Sequence, residues 1–125
     1  MRRLAVIGTL LALILAAGIF SLCWLQSYTN RLAGDLEAAA GTAETDPAQA
    51  LEQLAAIEED WSRAERKIGL FVHESPLRRI GEAIAASAEW LRLGEETEFR
   101  AAVRTAAYLV RDLARQEMPT LKNIF

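Results

Sequence analysis

The chain has 125 residues, a formal net charge of −3 and one cysteine. This length allows one small domain, and a hydrophobic share of 52% with only 7% aromatic residues favours helices, because sheets are usually rich in aromatic and β-branched residues. The acidic balance argues against a nucleic-acid partner, and the lone Cys23 excludes an internal disulfide and a thiolate metal site.

The first predicted element is an apolar anchor. Residues 4–25 form a run of 22 residues without a charge. As a helix the run is about 33 Å long, which is enough to cross a hydrocarbon core of about 30 Å. Arg2 and Arg3 precede it, and the positive-inside rule keeps them in the cytoplasm. We therefore predict a single-pass anchor over residues 1–26 in a cell membrane, with the rest of the chain extracytoplasmic.

Two features of the anchor predict what it contacts. Trp24 and Tyr28 follow one helical turn apart, and amphipathic rings at that point predict interfacial anchors at the outer surface. Gly8, Ala12 and Ala16 make a small-residue stripe through which two anchors can pack as a homo-oligomer, although alanine is common enough here for the stripe to arise by chance.

Removal of the anchor is the alternative to its retention. A secretory signal has a shorter apolar core, and the small residues 16–18 lie in the middle of this one. The sequence Phe20-Ser21-Leu22 before Cys23 resembles a lipoprotein cleavage box loosely, because bulky Leu22 stands where Gly or Ala is usual. Segment length and flanks favour a retained signal anchor.

Helical periodicity continues into the domain predicted at residues 27–125. Asp46 and Ser75 are predicted N-caps, each followed by a proline at the first helical position, and Gly94 is a predicted C′ stop. Pro119 should end the last helix at the preceding residue or before. The predicted helices cover residues 27–40, 47–68, 76–93 and 95–116, and a C-terminal tail covers 117–125.

Short connections make successive helices antiparallel. The predicted fold is therefore all-α: an N-terminal transmembrane helix that continues into an antiparallel bundle with three further helices. Helix-hairpin packing of the tetratricopeptide kind is a possible variant of that arrangement.

Antiparallel order sorts charge between the two ends of this bundle. The end near the membrane is predicted to be a basic pole of Arg66, Lys67, Arg78, Arg79, Arg111 and Arg115. The far end is predicted to be an acidic, partner-facing pole of Glu44, Asp46, Glu95, Glu96 and Glu98. Arg78 and Arg79 stand in a first helical turn, where the macrodipole disfavours cations, so either anionic lipid or pairing with Glu74 and Glu82 is expected to hold them.

Residues with catalytic or metal-binding potential are few. His73 is the sole histidine, and His73-Glu74 lacks the second histidine of a helical zinc motif. The acidic run of residues 58–60 lacks the alternating oxygen ligands of a calcium loop, and Trp61 and Trp90 fall on or beside apolar stripes. We predict no enzyme, no cofactor, no metal site and no catalytic residue.

The plan resembles an uncharacterised domain-of-unknown-function family of short single-span proteins known mainly from Gram-positive bacteria. The likeness rests on the Arg-flanked anchor, Trp61, Leu70-Phe71 followed by His73-Glu74, and the closing residues 119–125. The resemblance implies no activity and transfers no catalytic residue.

The predicted function is a non-enzymatic, membrane-tethered helical binding or scaffold module whose partners are the lipid bilayer and a protein. The alternative is an extracytoplasmic sensory or regulatory subunit that recognises a small ligand between helices, in a cavity lined by Trp61, Phe71 or Trp90.

Overall fold

The computed structural model describes the backbone of residues 1–70 and 74–124 and the side chains of residues 1–70 and 75–115. These residues form four helices: α1 (Arg2–Thr45), α2 (Pro47–Ile68), α3 (Glu74–Arg92) and α4 (Glu96–Ile124). The described part of the chain contains no strand, so the predicted all-α class is confirmed.

The four helices close a ring. α1 packs against α2 and α4, and α3 packs against the same two neighbours. Each helix contributes one apolar stripe at a spacing of three and four residues, as predicted. The largest fully buried side chains include Leu32, Leu36, Leu54, Ile68, Leu77, Ile80, Ile84, Phe99, Val110 and Leu113.

The helix α1 belongs to two environments. Its first part, residues 1–17, is exposed on every side, whereas the part from Leu25 to Ala39 buries a stripe against the other helices. α1 is long and apolar enough to cross a membrane by length and composition. No break separates its two parts, so the bundle is fixed rigidly to the apolar segment.

The structure extends α1 beyond the prediction. We expected the helix to end near Ala40, because residues 41–45 lose the apolar pattern and weaken helix propensity. Instead it runs to Thr45, and the Thr42 hydroxyl donates to the Ala38 carbonyl oxygen 3.0 Å away. The predicted Asp46 cap is confirmed: its side chain accepts a hydrogen bond of 3.2 Å from the Gln49 backbone N–H.

The C-terminal end of α3 agrees with the prediction, and its N-terminal end does not. Gly94 has a φ of +74°, and the Glu95 N–H donates to the Trp90 carbonyl at 3.0 Å, which together form a Schellman stop. At the other end the helix begins at Glu74 rather than at Pro76. Pro76 fits within the first turn because its missing N–H would have no helical partner there.

The helix α4 is longer than predicted. It passes Pro119 and reaches Ile124, so the predicted tail at 117–125 is helical through residue 124. A proline inside a helix removes one backbone hydrogen bond and often bends the helix without ending it. This extension changes where the arginines of α4 stand.

Candidate functional site

The hydrogen bond between Tyr28 and Asp60 sets the register of α1 against α2. The Tyr28 hydroxyl donates to Asp60 Oδ2 at 3.1 Å. Ile68 lies eight residues further along α2, about 12 Å nearer the N-terminal part of α1, and therefore about level with Phe20. The α2–α3 corner thus overlaps the apolar run, and Ser21 in that run is already half-buried.

Four of the six predicted basic-pole residues lie at this end of the bundle, which we call the base. Arg66 and Lys67 occupy the last turn of α2, Arg78 and Arg79 lie in the opening turns of α3, and all four are exposed. Leu70, at the corner between them, is 86% exposed. The base therefore combines cations with an exposed leucine at the level of the apolar segment. Phe71, Val72 and His73, which we also considered at this corner, lie outside the described residues.

The other two predicted basic-pole residues stand elsewhere. We placed Arg111 and Arg115 in the last turns of a helix ending near residue 116. Because α4 continues to Ile124, they lie about 20 and 14 Å before its end. Arg111 instead donates to Glu37 Oε1 on α1 at 2.6 Å. Both arginines belong to the side of the bundle.

The predicted acidic residues come together as the antiparallel order requires. Glu44 on α1 and Glu96 on α4 meet through Arg100, whose Nη2 is 3.7 Å from Glu44 Oε1 and 2.6 Å from Glu96 Oε1. Asp46 is engaged in capping α2. Glu95 and Glu98 are exposed beside them. This far end thus includes a cation that the prediction omitted, and three of its acids already have partners.

A groove of about 550 Å³ runs between α1 and α4. Its floor is made of small side chains, among them Ala40, Gly41 and Ala107. Its rim carries six charged residues: Glu37 and Glu44 from α1, and Arg100, Arg104, Arg111 and Arg115 from α4. Tyr108, which is 61% exposed, lies between the arginines. We call this feature the arginine groove.

A second groove of about 480 Å³ lies between α1 and α2 and is lined by Arg31, Asp35 and Asp60 among others.

Burial of Tyr28, with the Asp60 carboxylate and its hydrogen bond adding to the effect, raises the pKa of this phenol far above its usual range. The Tyr28 hydroxyl therefore stays protonated as a donor to Asp60.

The predicted interfacial rings have separate positions. Tyr28 is only 6% exposed, so it packs inside the bundle instead of presenting its ring to an interface. Its hydroxyl can be buried there because Asp60 accepts its hydrogen bond. Trp24 is half-buried and stacks on Tyr28, with ring centroids 5.4 Å apart.

The two described tryptophans among the ligand-cavity candidates line neither of the grooves described above. Trp61 is 3% exposed and its Nε1 lies 3.3 Å from the point where a Cβ on Gly81 would be, so α2 and α3 approach closely there. Trp90 is 37% exposed at the surface. Within the described residues, no group of three or more His, Cys, Asp or Glu side chains is placed to hold a metal ion.

Comparison with known proteins adds a family to this geometry. A model of the domain of unknown function DUF4363 matches residues 19–124. The chain belongs to the DUF4363 family. The resemblance drawn from the sequence to an uncharacterised domain-of-unknown-function family is thereby confirmed. No curated protein and no solved structure matches. The DUF4363 match covers the whole bundle and leaves out most of the exposed apolar part of α1.

The arginine groove is the part of the site that sequence reasoning missed. Arg111 and Arg115 were assigned to the base because a helix ending near residue 116 puts them there, and Arg100 and Arg104 were given no role. A signal was nevertheless available, since Arg100 and Arg104 recur 11 residues later as Arg111 and Arg115. Eleven residues are about three helical turns, so all four share one face.

Proposed function

We propose that this DUF4363 chain is a non-enzymatic, membrane-tethered helical module whose bundle stands outside the cytoplasm and binds a protein partner. The observation that carries the proposal is the continuity of α1. One helix, Arg2–Thr45, supplies both an apolar segment exposed on all sides and a member of the bundle core. A rigid link of this kind suits a tether that holds its domain in one orientation at a surface.

The exposed part of α1 supports the tether. Leu4 is 75% exposed, Leu13 61% and Phe20 72%, in a helix with no charge between residues 4 and 25. A contiguous apolar surface of this extent is unfavourable in water. In a bilayer the same apolar side chains face lipid instead of water. The helix also satisfies its own backbone hydrogen bonds, so no polar backbone group is left unpaired there.

The base supports a second contact with the membrane. Arg66, Lys67, Arg78 and Arg79 are exposed at the level of the apolar segment, and a cation near an anionic headgroup layer contributes about 1 kcal/mol. Leu70 extends from the same end. Because α3 begins at Glu74, Arg78 and Arg79 lie in its second turn and not in the first turn that the sequence predicted, so the unfavourable effect of the helix dipole on them is weaker than expected.

A pair of exposed leucines tests the lipid contact. In a Cys23→Ser background, Leu70→Cys at the base and Leu93→Cys at the far end each carry a fluorescent probe in anionic vesicles. Both parent leucines are exposed, at 86% and 61%. The probe at 70 should be shielded from an aqueous quencher and the probe at 93 should not. Equal quenching at the two positions would contradict contact between base and lipid.

The protein partner is proposed to bind the bundle surface away from the base. At the acidic pole Glu44, Asp46 and Glu96 are already engaged by Arg100 or by the cap of α2. In the arginine groove, by contrast, Arg104 and Arg115 make no ion pair within the described residues. The ligand-sensing alternative needed a cavity lined by Trp61, Phe71 or Trp90, and neither described tryptophan lines the two grooves described above.

Brief cross-linking of the full-length chain in its native membrane tests the binding function. Purification should recover one protein partner reproducibly. A matched preparation of a variant without residues 4–20 should lose that partner, because the bundle is no longer held at the membrane. Recovery of the chain alone, or only as copies of itself, would contradict a role as a binding module.

A further inference from the structure

The arginines of the groove form two equal pairs. Arg100 and Arg104 make the first pair, Arg111 and Arg115 the second, and each pair spans one helical turn. The pairs repeat after 11 residues, about 16 Å along α4. The small side chain of Ala107 lies on the groove floor between them.

Each pair has one arginine with an ion pair and one without. Arg111 is bound to Glu37 of α1 at 2.6 Å, and Arg100 is bound to Glu96 of α4 at 2.6 Å with Glu44 of α1 at 3.7 Å. Arg104 and Arg115 make no ion pair within the described residues, and both line the groove. In each pair a glutamate therefore holds one guanidinium in place and leaves its neighbour available to a partner.

The charge of the groove is opposite to that of the domain. Four arginines face two glutamates along its rim. By contrast, the chain after Arg3 carries 12 basic and 17 acidic residues. This local positive surface attracts carboxylates, whereas the acidic remainder of the domain repels them.

The orientation of the groove relative to the membrane indicates what shape of partner can contact both arginine pairs. It follows α4 from the far end of the bundle towards the base, so one arginine pair lies about 16 Å further from the membrane than the other. A flat lipid surface would reach only the nearer pair. An elongated acidic segment can contact both at once.

We propose that the arginine groove binds an acidic helical segment of the partner protein, with carboxylates in two clusters three helical turns apart. The inference rests on the proposed function and names the surface through which it acts. Arg104 and Arg115 take the partner's carboxylates, and guanidinium groups suit this role because they bind carboxylates in a bidentate manner. Small residues on the groove floor allow the partner helix to approach closely.

A designed peptide tests the spacing. The probe is an alanine-based helical peptide with two pairs of glutamates, each pair four residues apart and the two pairs 11 residues apart. The full-length chain is held in nanodiscs of neutral phosphatidylcholine, so that lipid charge does not contribute. Binding should weaken about threefold or more when the second glutamate pair is moved to the opposite face of the peptide. Equal affinity for both peptides would overturn the proposal.

Two charge-matched variants test the residues. Arg104→Glu with Arg115→Glu should weaken binding of the probe about tenfold, because two attractive contacts become repulsive. Arg63→Glu with Arg92→Glu changes net charge equally on α2 and α3, and both arginines are exposed. This control should bind the probe like the unaltered chain. An equal loss of peptide affinity in the two variants would show a non-specific charge effect and overturn the proposal that the groove binds the peptide.

A photo-cross-linking side chain at Tyr108 tests the native complex. In the native membrane it should capture a partner segment rich in Asp and Glu. Capture of lipid, of a second copy of this chain or of a segment without acidic clusters would overturn the proposal. If Arg104→Glu with Arg115→Glu still recovers the partner by general cross-linking, the groove is excluded while the binding function stands.

Discussion

The two parts of α1 differ in composition and in surroundings: the first is almost wholly apolar, and the second mixes apolar with polar and charged residues. In the first part, Leu10, Leu13 and Ile14 are 54%, 61% and 66% exposed. In the second, Leu32 and Leu36 are at most 1% exposed, and charged residues occupy the other faces of the helix. The difference lies in the pattern: the first part is apolar on every side, and the second has a single stripe.

This difference indicates which solvent each part needs. The single stripe of the second part is buried in the core that α1 forms with the neighbouring helices α2 and α4. An apolar surface on all sides, which the other described helices do not cover, is typical of a helix surrounded by lipid, as we propose for this part. Under that proposal the unbroken helix would fix the position of the bundle relative to the membrane. Each of the following changes alters one side of this comparison.

Charges in the exposed part should have the largest effect. Leu10→Arg with Ile14→Arg places two cations near the middle of the span, at about 2.5–3.5 kcal/mol each. The variant should lose its resistance to alkaline extraction from membranes. Leu93→Arg, which changes an exposed leucine on the bundle, is the matched control and should extract like the unaltered chain. Retention of the double variant would show that lipid does not surround this part.

Removing a buried leucine should have the next largest effect. Leu36→Ala deletes a side chain that is 0% exposed and should lower the free energy of unfolding by about 2–5 kcal/mol. Leu93→Ala, at a position 61% exposed, should change it by less than about 0.5 kcal/mol. Chemical denaturation in detergent measures both. Similar losses at the two positions would mean that the bundle core is not where we place it.

The stability of the bundle should fall in alkaline solution because of Tyr28. The pKa of this phenol is higher in the folded than in the unfolded chain, chiefly through burial and the Asp60 carboxylate. Its contribution is therefore complete below about pH 10 and is lost as the pH rises towards the folded pKa, by at most about 1.4 kcal/mol per pH unit.

Denaturation between pH 9 and 11 measures this effect. Tyr28→Phe should make the fall shallower, whereas Tyr108→Phe, at an exposed position, should leave it unchanged. An identical slope in Tyr28→Phe and the unaltered chain would contradict the effect.

Loss of the α2 cap should have the smallest effect. Asp46→Ala removes the acceptor for the Gln49 N–H and should cost about 1 kcal/mol. Asp46→Asn keeps an acceptor at the same place and should cost much less. Equal losses in the two variants would mean that the charge of Asp46, and not its hydrogen bond, stabilises the helix.

Much of the bundle could be predicted from the sequence because its apolar residues repeat at helical spacing. Leu54, Ile84 and Val110 are all fully buried on the predicted stripes. The helix ends were harder, since they depend on local competition. α1 continues through Thr42, whose hydroxyl donates to the Ala38 carbonyl oxygen, and Pro119 does not stop α4.

The candidate site was predicted less well, for a related reason. Misjudging the end of α4 by about two turns put Arg111 and Arg115 at the base, and the groove between α1 and α4 was overlooked. Ion pairs such as Arg111 with Glu37 join residues 74 apart in sequence. Their existence depends on the packing of two helices, which periodicity alone does not determine.

Whether α1 carries the bundle across the membrane is measured most directly by thiol labelling in intact cells. In a Cys23→Ser background, one variant carries Thr97→Cys at the far end of the bundle and another carries a cysteine inserted after Met1. A membrane-impermeant maleimide should label position 97 before lysis and the N-terminal cysteine only after it. Labelling of the N-terminal cysteine in intact cells, or protection of position 97 until lysis, would contradict the proposed topology.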